Sequence, residues 1–284
     1  MTVRTDLALE CRELVGESEI EGVIEKKEEQ QNVKITRIEI KTEKAALRLN
    51  KEMGNYITLE LSPFSKSVCQ NEKEIEIIAR EIKSLIPNSD GTVLLVGLGN
   101  DNITPDAIGP KTIEASFATR HISESMPELN FRSVALFSPR VLGQTGIESS
   151  ESVKAMVEKT NAECVIVIDA LASKSINRLG CTVQICDTGI SPGSGVNNAR
   201  KSLNQESLGV PVIAIGIPTV VDALTIAYEA GGEAVQNKNE LSEMFVTPRE
   251  IDVIIENASK VLALSIAKAM HQSYSVEDLY FLSL

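Results

Sequence analysis

The chain has 284 residues, 43% of them hydrophobic, enough apolar material for one sizeable core or a core plus a lobe. Its net charge of −12 argues against a nucleic-acid partner, because phosphate binding needs a clustered basic face. No apolar run approaches the ~20 residues of a membrane span, and the charged start (Arg4, Asp6, Glu10, Arg12, Glu13) has no secretory core, so cytoplasmic residence is expected.

In chain order, residues 1–32 are polar and charge-dense, with the run Glu25-Lys26-Lys27-Glu28-Glu29-Gln30-Gln31, and read as a weakly packed, mobile leader or exposed turn. Val33 to Ile40 shows an imperfect strand-like alternation, Glu43 to Met53 is helix-like, and Ile57, Leu59 and Leu61 alternate with polar neighbours as in a half-buried strand. Residues 33–70 thus make a possible small α+β lobe. Ile75, Ile78, Ala79, Ile82, Leu85 and Ile86 fall at helical spacing, and Pro87-Asn88 stops that run. Three short apolar runs follow at Val93 to Val96, Val165 to Ile168 and Val212 to Ile217, each of the kind buried on both faces. Candidate helices lie at Asp106 to Thr119, Ser149 to Lys159, Val220 to Glu229 and Thr247 to Met270. Strands alternating with helices imply an α/β fold, a doubly wound, mainly parallel sheet covered on both faces. The five cysteines (Cys11, Cys69, Cys164, Cys181, Cys186) are widely spaced and read as reduced thiols, with Cys164 beginning a strand and Cys181 and Cys186 flanking another.

Two aspartates stand where such a fold places its chemistry. Asp106 follows the first apolar run, with Thr104 and Pro105 suited to the cap and first turn of a helix, and Asp169 ends the run Cys164-Val165-Ile166-Val167-Ile168. If the two strands are parallel neighbours, both carboxylates emerge at the carboxyl edge of the sheet. Burial and mutual repulsion raise a carboxyl pKa, so such a pair can share a proton and act as base and acid on a water. An isolated Asp106 could equally serve only the helix dipole. Gly97-Leu98-Gly99 superficially matches a dinucleotide loop but lacks the third glycine at the required spacing. Asp187-Thr188-Gly189 is a single copy of a tripeptide that pepsin-like enzymes need twice; Asp187 could still face the cleft. Beyond it, Gly193-Ser194-Gly195 could donate backbone hydrogen bonds or simply make a turn. Only two histidines exist, His121 and His271, both expected at the surface and neither in a metal-binding constellation.

At these loops the sequence resembles the germination proteases of spore-forming bacteria, over most of its length. The blocks are Val3-Arg4-Thr5-Asp6-Leu7-Ala8, Val96-Gly97-Leu98-Gly99-Asn100, Thr104-Pro105-Asp106-Ala107, Thr145-Gly146-Ile147-Glu148, Ile168-Asp169-Ala170-Leu171-Ala172, Gly189-Ile190-Ser191-Pro192-Gly193-Ser194-Gly195 and Ile213-Ala214-Ile215-Gly216-Ile217-Pro218-Thr219-Val220-Val221-Asp222-Ala223. The resemblance implies a cytoplasmic endopeptidase of the forespore that degrades small acid-soluble spore proteins at germination. It also implies catalytic residues Asp106 and Asp169, no cofactor, and a homotetrameric zymogen that removes its own propeptide. Family substrates are cut after the acidic residue of a stretch like Thr-Glu-Ile/Phe-Ala-Ser-Glu. Thr5-Asp6-Leu7-Ala8-Leu9-Glu10 has the same order, which implies self-processing at Asp6/Leu7, a propeptide of residues 1–6 and a single protease domain of residues 7–284. Asn100, Gly193, Ser194, Gly195 and Asp187 are the expected substrate-positioning residues.

The fold is also similar to that of the hydrogenase maturation proteases, whose nickel-binding glutamate aligns with Asp106 and whose second carboxylate matches Asp169. Their later histidine has no counterpart here, since none lies between His121 and His271, which favours a metal-free hydrolysis over a nickel-dependent one. A non-catalytic α/β binding module is the remaining alternative. The stretch Gly231 to Val246 is shorter than in family members, so oligomer contacts or regulation made there are expected to differ.

Overall fold

A computed structural model of the chain describes residues 4–17, 19–65, 72–193, 200–231 and 238–283. Among the described residues nine strands form one sheet: β1 (Val23–Gln30), β2 (Val33–Ile40), β3 (Gly54–Glu60), β4 (Val93–Gly97), β5 (Val134–Phe137), β6 (Cys164–Ser173), β7 (Thr182–Cys186), β8 (Val212–Asp222) and β9 (Phe245–Val246). Their order is β1-β2-β3-β7-β8-β6-β4-β5, with β9 against β8. The half that carries the site, β8-β6-β4-β5, is parallel. The remaining pairings are antiparallel.

The unbroken apolar runs are explained by burial on both faces. Val93, Leu95, Ile166, Ile168, Ile213 and Ile215 pack to one side, in a core with the helices Glu72–Leu85 and Ile251–Met270. Their alternate neighbours Leu94, Val96, Val165, Val167 and Val212 pack to the other side, with Val153 and Val157 of the helix Ser149–Thr160. A period of two is present, but both of its phases are apolar. Asp169, expected to end its strand, lies within β6, which runs on to Ser173, so its carboxylate has little water around it.

The expected α+β lobe is built from β1 to β3 and the helices Ala8–Val15 and Glu43–Leu49, around Leu9, Ile38, Ile40, Ala45, Leu49 and Tyr56. Its strands continue the main sheet, because β3 pairs with β7.

Several expectations need correction. The described part of residues 1–32 is not a weakly packed leader: Leu7, Ala8, Leu9 and Glu10 are buried, and the charged run through Gln30 lies in the edge strand β1, paired along its length with β2. Its side chains alternate poorly in burial because most of the strand faces water, where Lys and Glu guard an edge. The helix expected from Asp106 to Thr119 is interrupted: Thr104–Asp106 is a 3-10 turn, Ile108–Glu114 an α-helix, and Thr104 caps neither with its side chain. The helix expected from Val220 begins at Ala223, since β8 runs on through Pro218 to Asp222, past an irregularity between Leu171 and Ala172 on β6. Four described cysteines are unbridged, two of them buried, and Cys69 lies outside the described residues.

Candidate active site

β4 and β6 are parallel neighbours in register, with Gly97 opposite Ile168. The pairing extends one step further through the Leu98 N–H, which donates to the Ile168 carbonyl at 2.8 Å. Beyond it the chain turns at Gly99, whose φ of +112° favours glycine, and where a Cβ would collide with the Asp106 carbonyl oxygen. A Cβ at Gly97 would likewise strike the backbone of Gly109. These glycines thus permit the segment 104–109 to close against β4, a packing role rather than a phosphate cradle. The closure aims Asp106: its Oδ2 accepts the Asn100 N–H at 2.8 Å, and its carbonyl accepts the same N–H at 3.2 Å. Asn100 Oδ1 in turn accepts from Asn102 N at 3.0 Å and Gln144 Nε2 at 2.9 Å, which fixes the side-chain amide.

Asp106 and Asp169 line one cavity of about 690 Å³, together with Asp6, Asn100 and Gly193. Asp169 is 6% exposed and accepts one hydrogen bond, from the Ala170 N–H at 2.9 Å. Burial pushes its carboxyl well above the usual range, and the charges of Asp106 and Asp6 push it further. Burial also raises Asp106, against which the Asn100 N–H acts. Both carboxyls are thus raised, Asp169 the more strongly because it is the more buried and feels the Asp106 charge.

Of the other expected residues, Asp187 does not join them. It is exposed, and its carboxylate is held by the Asn55 N–H and Nδ2, both at 2.7 Å, which ties the start of β3 to the end of β7. Ser194 and Gly195 lie outside the described residues. His121 is exposed as expected, but His271 is 4% exposed, stacked on Phe117 and edge-on to Phe131.

Sequence reasoning missed how firmly the segment Asp6 to Glu10 is seated. The Asp6 N–H donates to the Ala172 carbonyl at 2.9 Å, and Asp6 Oδ2 accepts the Ala172 N–H at 2.8 Å. The Asp6 carbonyl accepts from Lys51 Nζ at 2.7 Å and Gln184 Nε2 at 3.0 Å. Buried Glu10 accepts from the hydroxyls of Thr5 and Ser173, the N–H groups of Lys174 and Ser175, and Arg178 Nη1. A buried carboxylate in a charge-dense segment gave no sequence signal, because its partner Arg178 is 168 residues away.

Among the described residues no group of three or more His, Cys, Asp or Glu side chains could hold a metal ion. Nor is any described helix long and apolar enough to cross a membrane.

The family model for germination protease matches residues 5–232. A germination protease of Caldanaerobacter subterraneus subsp. tengcongensis is 42% identical over 98% of this chain and 97% of its own length. One from Clostridium perfringens is 40% identical over 98% of both, and one from Bacillus pumilus 34% identical over 98% and 95%. In shape there is a weak likeness to a [NiFe] hydrogenase maturation protease, HycI, from Thermococcus kodakarensis KOD1, with a TM-score of 0.40 at 18% identity over 67% of this chain and 98% of that one. At that level the likeness carries nothing about chemistry. The family match spans both aspartates, the loop that aims them and the seated N-terminal segment, and the chain belongs to the germination protease family, a family of peptidases.

Proposed function

We propose that this protease is an atypical aspartic endopeptidase, made as a zymogen that cuts its own chain between Asp6 and Leu7 and thereafter degrades small acid-soluble spore proteins at germination. Asp106 takes a proton from water as the water attacks the carbonyl carbon. Asp169 gives its proton to the leaving nitrogen. Asn100, its Oδ1 already occupied, has Nδ2 left to offer a substrate, and Gly193 shapes the same wall. Residues 1–6 are the propeptide, and residues 7–284 the protease domain. The observation that carries this reading is the cavity that Asp6 shares with the two aspartates. The acidic side chain and N–H of Asp6 are both held by Ala172, three residues beyond Asp169, so the residue ahead of the proposed cut lies against the strand that carries Asp169.

The reading extends to a homotetramer in the cytoplasm of the forespore, for which the exposed Tyr280, Phe281 and Leu282 offer apolar surface. Incubating the purified full chain, then sequencing its N-terminus and mapping by mass the products of a spore-protein peptide, tests the whole. A new N-terminus anywhere but Leu7 would remove the processing step, and an intact peptide would remove the activity.

A further inference from the structure

Gln184, Gly216 and Asp169 form a row across three adjacent strands: Gln184 of β7 is opposite Gly216 of β8, which is opposite Asp169 of β6. Side chains in register on neighbouring strands share a face, so Asp169 and Gln184 stand on the same side of the sheet. Two strand spacings separate them, roughly 10 Å. The residue between them has no side chain.

The buried Leu171 side chain lies over Gly216, and Asp6 reaches both ends of the row: Gln184 binds its carbonyl and its charge acts on Asp169. Asp6 lines the cavity that holds the two aspartates and also a second cavity, of about 970 Å³, that holds Lys51 and Gln184. Its carbonyl oxygen is bound from the second side, by the Lys51 ammonium and the Gln184 amide. Gln184 is 6% exposed, and its Oε1 also accepts the Ala8 N–H at 2.6 Å. One amide therefore grips the chain on both sides of Leu7, with the bond Asp6–Leu7 inside the grip.

Resting on the reading of Asp6/Leu7 as the processed bond, we propose that Lys51 and Gln184 are the electrophilic half of the active site, the donors that stabilise the oxyanion while Asp106 and Asp169 manage the protons. Water adds to the Asp6 carbonyl carbon and loses a proton to Asp106. The carbonyl electron pair moves onto oxygen, where Lys51 Nζ and Gln184 Nε2 already point. When that pair returns, the C–N bond breaks and the Leu7 nitrogen takes the Asp169 proton. The products are the carboxylate of Asp6 and the amine of Leu7, and proton exchange with solvent resets the pair. Donors fixed in advance at the position of the developing charge are worth roughly 10²–10³ in rate each. The peptide class this arrangement takes is an acidic residue ahead of the cut with an extended N–H and carbonyl, as Asp6 presents them.

The test is the rate at which the purified full chain converts to the form beginning at Leu7, with circular dichroism confirming the fold of each variant. Gln184→Glu keeps the acceptor for the Ala8 N–H but removes the donor. It should slow conversion at pH 7 roughly 100-fold or more, and its deficit relative to wild type at the same pH should shrink below about pH 5, where a protonated glutamate donates again. Lys51→Met should lose a similar factor, and Lys51→Arg should restore part of it. Unchanged rates in Gln184→Glu and Lys51→Met, or a Gln184→Glu deficit relative to wild type that does not shrink in acid, overturn the oxyanion role alone. A wild-type chain that never cuts at Asp6/Leu7, or an Asp106→Asn chain that cuts at the wild-type rate, overturns the underlying function as well.

Discussion

Asp6 and Ala172 hold each other by two hydrogen bonds, one through backbone N–H and carbonyl and one through the Asp6 carboxylate and the Ala172 N–H. The segment before the first helix is thereby added to the extended end of β6, as a substrate strand would be. Asp6→Ala keeps the backbone bond and loses the carboxylate bond. Losing one charge-assisted hydrogen bond of about 1.5–3 kcal/mol should slow self-processing by about 10- to 100-fold. The rate of appearance of the Leu7 N-terminus measures it, and an undiminished rate would show that the carboxylate is not read.

Asp106→Asn and Asp169→Asn should each lower peptide hydrolysis by about 10²–10⁴-fold without unfolding the chain. The first carries a second expectation. Because the Asp106 charge helps raise the proton affinity of Asp169, Asp169 should titrate at lower pH in Asp106→Asn, though burial keeps it above an ordinary aspartate. Carboxyl carbon NMR of labelled aspartate reads this directly, and an unmoved titration would mean that the two groups are not coupled.

Glu10 anchors the first helix to the loop after β6. Burial alone would push its carboxyl up, but the donors Thr5, Lys174 N–H, Arg178 and Ser173 outweigh it, and the group titrates below its usual 4.5. Its contribution to stability is therefore present above pH 4.5 and lost as pH falls through the depressed native value. Glu10→Ala should cost about 3 kcal/mol, at the low end for a buried pair because Arg178 keeps Glu13. Glu10→Gln should flatten the stability slope below pH 4.5 in urea titrations; an unaltered slope would assign that acid sensitivity elsewhere.

His271 works at a different pH. Buried among aromatic rings and facing Arg132, its imidazole is pushed down from 6.5 to about 4. The unfolded chain binds its proton near pH 6.5 and the native one does not, so stability falls as the pH drops from 6.5 toward 4, by about 1.4 kcal/mol per pH unit. His271→Phe should remove that component, seen as a smaller difference in denaturation midpoint between pH 7 and pH 5 than wild type shows.

The parallel half of the sheet was legible because its strands are buried on both faces and so appear as unbroken apolar runs; Asp169 was legible because it ends one of them. Asp106 was found by its loop, although Gly97, Gly99 and Gly109 bring that loop so close to β4 that the expected helix splits into a 3-10 turn and a shorter α-helix. β1 was missed because an edge strand facing water is chosen for charge rather than for alternation. Lys51 and Gln184 were invisible for another reason. A polar side chain next to a strand end or inside a strand has no meaning until the chain segment it binds is in place, and that segment is the N-terminus, 45 and 178 residues away in the two hydrogen bonds.

The grip on Asp6 fixes more than geometry. On the proposed processing, a bond cut by its own molecule would be present at an effective concentration that dilution does not change, so conversion would follow a clock internal to each chain. Its half-time would then stay the same whether the protein is scarce or abundant. Thr5 and Arg4, which tie the leading segment to Glu10 and Asp222, lie upstream of the proposed cut. Severed there, they would face re-entry as a free peptide in competition with bulk water, and the event would run in one direction.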